Sequence, residues 1–85
     1  MLEKVLESIN EEYETLKIIL DPQKGDSWAL DNPHRVTWNA QSRVLGVIMF
    51  AQKYLDVKYE DIEKPFDDFV KKLKKLEKNV LTNKK

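Results

Sequence analysis

No cysteine occurs among the 85 residues, so neither a disulfide framework nor a cysteine-based zinc site supplements the core. Domains near this size bury only about 60% of the surface their unfolded chain exposes, which leaves one domain and no room for a large enclosed pocket. Glycine is scarce, and β-branched residues never alternate over the length of a strand, so no sheet is expected. Long hydrophobic runs are missing too. The longest, Val44 to Ala51 with Gly46 inside it, falls far short of the roughly 20 residues of a membrane span. The opening MLEKVLESINEEY is acidic and amphipathic, unlike a signal peptide, and a soluble, cytoplasmic protein is expected. His34 is the only histidine, so a transition-metal site would rest on one imidazole plus carboxylates; no metal and no cofactor is expected.

What is present is charge, in a segregated pattern. The 15 basic residues balance the 15 acidic ones, yet residues 1 to 34 are acid-rich. Residues 35 to 55 hold Arg35, Arg43 and Lys53 with no Asp or Glu, and residues 71 to 85 carry seven lysines against Glu77 alone.

Apolar residues at Leu2, Val5, Leu6, Ile9, Tyr13, Leu16, Ile19 and Leu20 recur at three- and four-residue steps, the signature of an amphipathic helix. Asp21-Pro22 ends it. A second helix starts at Asn32-Pro33, with Asn32 capping and Pro33 at the first helical position. The third repeats Ile62, Phe66, Phe69, Leu73, Leu76 and Val80, a coiled-coil-like seam in which Pro65 fits only within the first turn. These patterns predict an all-α, three-helix bundle-like domain over residues 1 to 85. Its helices lie near 2 to 20, 33 to 55 and 60 to 81, with a long ordered loop between the first two and a disordered basic tail from about residue 82.

The second helix is apolar on two sides. At 100° per residue, Val36, Ala40, Val44, Val47, Ala51 and Tyr54 share one face, while Leu45, Ile48, Met49, Leu55 and Trp38 cover much of the opposite one. A helix of this kind is buried on more than one side. The excess surface predicts a homodimer through the second helix and the loop. The alternative is that Trp28 and Leu30 fold back from the loop to cover it.

The loop GDSWALDNPH resembles two signatures of the GDSL/SGNH hydrolases, in Gly25-Asp26-Ser27 and in Asp31-x-x-His34. The resemblance implies a nucleophile at Ser27 with an acid and base at Asp31 and His34. In that family, however, the two blocks sit on separate loops at one edge of a parallel sheet, whereas here they adjoin. The family's further Gly and Asn blocks are missing, and no strand-to-helix elbow presents Ser27. Local structure accounts for the same residues: Gly25 turns the chain, Asp26 or Ser27 caps a short turn, and Asn32-Pro33 begins the next helix. No catalytic residue is assigned.

Other ligand sets fail on spacing. The twelve residues DPQKGDSWALDN lack the alternating oxygen ligands and the final Glu of a calcium-binding EF-hand loop. Glu60-x-x-Glu63 supplies only half of the magnesium pattern of all-helical nucleotide pyrophosphatases, and an acidic first turn explains it. Glu12 and Arg43 both intrude on apolar faces, near the middles of helices that run antiparallel, and are expected to pair as a structural ion pair.

The remaining candidates are Trp28, Arg35, Trp38, Asn39, Ser42 and Arg43, where donors and tryptophans gather around the second helix. They point to a small non-catalytic protein acting by protein-protein interaction, as an inhibitor, adaptor or regulatory module. Its expected partners are a second copy and another protein. The alternative is nucleic-acid or nucleotide binding through the second helix, with Arg35 and Arg43, and the lysine-rich end.

Overall fold

The computed structural model describes residues 1–83, in which the elements are α1 (Leu2–Ile19), α2 (Ser27–Asp31), α3 (Pro33–Tyr54) and α4 (Tyr59–Asn83). No strand occurs among the described residues. Four helices occur among the described residues where three were expected, because the loop after α1 contains a short one. Asp26 accepts the Ala29 N–H at 3.0 Å, an N-cap that starts α2. Pro33 stops it: the residue before a proline is driven out of the helical region, and Asn32 accordingly has φ −133°. Asn32 therefore does not cap α3 through its side chain, as expected, but turns back to donate from Nδ2 to the Trp28 carbonyl at 2.9 Å.

α1 ends against Gly25. The Gly25 N–H donates to the Asp21 carbonyl and the Asp26 N–H to the Ile19 carbonyl, folding the chain back over its own helix end. A Cβ at position 25 would lie 2.3 Å from the Ile19 oxygen, so only glycine fits. The turn between α3 and α4 uses Asp56 in the left-handed region, φ 56°, which returns the Val57 N–H to the Ala51 carbonyl at 3.3 Å.

α4 begins at Tyr59, which puts Pro65 inside the helix beyond the first turn, contrary to expectation. Pro65 offers no N–H to the Asp61 carbonyl, a local defect that the rest of a 25-residue helix accommodates. Thr82 and Asn83, assigned from sequence to a disordered tail, belong to α4; Lys84 and Lys85 lie outside the described residues.

α1, α3 and α4 each pack against the other two, and α2 packs on α3. The short connection between Tyr54 and Tyr59 and the pairing of His34 with Glu77 set α3 antiparallel to α4, while Glu12 with Arg43 and Lys72 over the Tyr13 ring tie the middle of α1 to both. The core is a column of Val5, Ile9, Leu16 and Leu20 from α1, Val36, Ala40, Val44, Ile48 and Ala51 from α3, and Ile62, Phe69, Leu73 and Val80 from α4. The body is elongated, 46 Å by 18 by 17 Å, so each helix keeps a long side to solvent.

Candidate functional site

α3 buries Pro33, Val36, Thr37, Ala40, Val44, Ile48 and Ala51 between α1 and α4. Two neighbours flank that arc and widen it, which is why Ile48, placed by the helical wheel on the outer face, is in fact enclosed. Val47 and Tyr54, placed on the inner face, instead reach solvent. The single buried polar side chain there, Thr37, is satisfied by donating to the His34 carbonyl at 3.0 Å.

The outward side of α3 is apolar to an unusual degree. Trp38 is 61% exposed, Met49 60%, Phe50 55%, Tyr54 63% and Leu45 44%. Scattered apolar residues are ordinary on a surface, whereas a contiguous run of large ones on one helix is not. At 100° per residue these side chains form two ridges. Trp38, Leu45 and Met49 follow each other at steps of seven and four, as in a coiled-coil seam, on the side toward α4. Phe50 and Tyr54 form the other, toward α1, with ring centroids 5.0 Å apart. Between the ridges run Arg35, Asn39, Ser42, Gly46 and Lys53, all exposed.

The sequence-predicted residues thus divide. Arg35, Trp38, Asn39 and Ser42 share the outward face of α3. Of the two loop residues expected to fold back, Leu30 packs against the core while Trp28, on α2, stays exposed. Arg43 points toward α1, where its Nε donates to Glu12 Oε1 at 3.0 Å and its Nη2 donates to the same oxygen. That pair is less enclosed than the sequence suggests, with the Arg43 side chain 57% exposed and Glu12 23%. It borders a groove of about 380 Å³ between α1 and α3 that Ser8, Glu11, Thr15 and Val47 also line.

The loop that resembles hydrolase signatures is occupied by structural roles. Asp26 is the cap of α2, and His34 Nδ1 meets Glu77 Oε1 of α4 at 2.9 Å. This contact across α3 and α4 was not foreseen, although Glu77, the sole acid in a lysine-rich stretch, was its available signal. Beside it, Trp38, Gln41, Val70 and Lys74 line a groove of about 250 Å³. Among the described residues no cluster of histidine and carboxylate side chains is placed to hold a metal ion, and no helix is long and apolar enough to cross a membrane. No family model, curated protein or solved structure matches the chain.

Proposed function

We propose that this chain acts by binding, without catalysis, and that the outward face of α3 is where a protein partner docks. The observation that carries this reading is the exposure of Trp38, Leu45, Met49, Phe50 and Tyr54 together on one helix, whereas Ile18, Trp28, Tyr59 and Leu81 are exposed singly on the other helices. Leaving such residues in water forgoes about 1.5–3 kcal/mol for each side chain that could be buried, a gain a partner recovers. Tryptophan, tyrosine and arginine are also the residues in which interface energy concentrates. Self-association through the same face, the expectation drawn from the sequence, is one form of this reading.

A second reading rests on α4. Lys71, Lys72, Lys74, Lys75 and Lys78 are exposed, and Lys74 shares a groove with Trp38, the combination of cation and stacking surface used for single-stranded nucleic acid. Capture from a lysate of the source cell separates the two. The wild-type chain is compared with a Trp38→Glu/Leu45→Glu variant of matching helicity. A protein retained by the wild type and lost by the variant supports docking on α3. Equal recovery by both, or recovery of nucleic acid alone that falls steeply with added salt, contradicts it.

A further inference from the structure

Gly46 stands in the middle of the exposed face of a 22-residue helix, and nothing lies within 4 Å of the Cβ it lacks. Glycine weakens a helix interior, and here neither a turn nor a contact within the chain requires it. With Ser42 one turn before it, it forms a low floor between two high walls, Trp38, Leu45 and Met49 on one side and Phe50 and Tyr54 on the other. Small residues four apart are what a second helix needs in order to bring its backbone close. The floor runs between two cations, Arg35 and Lys53, and no Asp or Glu occurs anywhere in α3. Neither Arg35 nor Lys53 forms an ion pair among the described residues, whereas Arg43 is already held by Glu12.

Resting on the reading that this face binds a protein, we propose that its occupant is an acidic amphipathic α-helix, seated on Ser42 and Gly46 between the two apolar ridges with carboxylates over Arg35 and Lys53. The positions of those cations set its length. Residues 35 and 53 are separated by about 27 Å at 1.5 Å per residue, or five turns.

Charge decides against the other occupants. A second copy docking by the same face sets cations against cations, because α3 has no acid to offer. A second copy docking by α1 offers carboxylates, but Ile18 is the only large apolar residue that α1 exposes. An anionic membrane or a nucleic acid is a continuous polyanion that Glu11 repels on the α1 side of α3 and the exposed lysines around Lys74 attract on the α4 side, so it would settle on the α4 edge and not on the floor between Arg35 and Lys53. A discrete helix puts its acids only where the cations are.

The probe is a synthetic five-turn helix with a leucine strip flanked by glutamates, set against the same helix with every glutamate replaced by lysine. Both are titrated into the full chain while tryptophan fluorescence is followed. Vesicles of phosphatidylcholine with phosphatidylglycerol, and an oligouridine, serve as competitors, and sedimentation gives the mass of the free chain. The acidic helix is expected to bind at least about tenfold more tightly than its lysine counterpart, and Arg35→Glu/Lys53→Glu to reverse that order. Gly46→Leu, which meets open space in the free chain, is expected to fold with an unfolding temperature no lower than that of the wild type and to lose about tenfold or more in affinity. Equal affinity for the two peptides overturns the proposal. So does displacement of the acidic helix by vesicles or oligouridine, or a dimer that Gly46→Leu dissociates. Should a captured protein depend on Trp38 and Leu45 while the acidic helix fails to bind, the occupant assigned here falls and the docking face stands. Should neither bind, the docking face falls with it.

Discussion

Arg43 Nε donates to Glu12 Oε1 at 3.0 Å across the contact between α1 and α3, two residues separated by 31 positions in the chain. Both guanidinium donors reach one carboxylate oxygen, so the contact sets helix register without the two-oxygen fork that makes such pairs strong. With one partner more than half exposed, water screens it. A double-mutant cycle with Glu12→Gln and Arg43→Met, read by urea unfolding, is expected to give a coupling of about 0.5–1 kcal/mol. A coupling several times larger would show the pair to be sealed from solvent.

The two glycines respond in opposite directions. Gly25→Ala drives a methyl group into the Ile19 and Asp21 carbonyl oxygens, at 2.3 and 2.6 Å, and backbone atoms there have nowhere to go. It is expected to cost about 1–3 kcal/mol. Gly46→Ala meets open space and is expected to stabilise by about 0.5–1 kcal/mol, because alanine gives up less backbone freedom than glycine on joining a helix. Thermal unfolding of both variants checks the pair: one melting temperature falls and the other rises by several degrees.

Asp26 and Ser27 are adjacent, yet only one carries structural weight. Asp26→Ala removes the acceptor for the Ala29 N–H and is expected to cost about 1 kcal/mol. Ser27→Ala, at an exposed first helical position, is expected to change stability by less than about 0.5 kcal/mol. Denaturant midpoints at constant slope measure both. A larger loss at Ser27 would assign its hydroxyl a role that its surroundings do not indicate.

Leu16, Ile62 and Leu73 are fully enclosed where α1, α3 and α4 meet. Truncating Leu73 to alanine leaves a cavity lined by residues of packed helices that relax only in part. About 2–5 kcal/mol is the expected loss, a large share of the stability of so small a domain. Far-UV circular dichroism through a urea titration should show the midpoint of Leu73→Ala well below that of wild type. A loss under about 1 kcal/mol would mean the core is more plastic than its burial indicates.

The sequence carries the three long helices because each repeats its apolar residues over several turns, long enough for periodicity to show. α2 does not: five residues hold barely more than one turn, and only the Asp26 cap and the stop at Pro33 mark it. The outward face of α3 was legible as a surplus of apolar residues, with Trp38, Leu45 and Met49 assigned to it. The exact division was not legible, since whether Ile48 or Val47 is enclosed depends on where α1 and α4 sit around the helix. The partnership of His34 with Glu77 spans 43 residues and depends on how α3 and α4 align, which no local pattern encodes.

The proposed docking face has a direct reporter in its own methionine. Met49 is 60% exposed on α3 and Met1 is 65% exposed ahead of α1, so both oxidise readily in the free chain, and each serves as a reference for the other. Mild oxidation followed by mass spectrometry of the free chain and of its captured complex measures which one the partner covers. The account predicts that Met49 is protected severalfold in the complex while Met1 continues to oxidise at its free rate. Oxidation of Met49 at the same rate, free and bound, would contradict it.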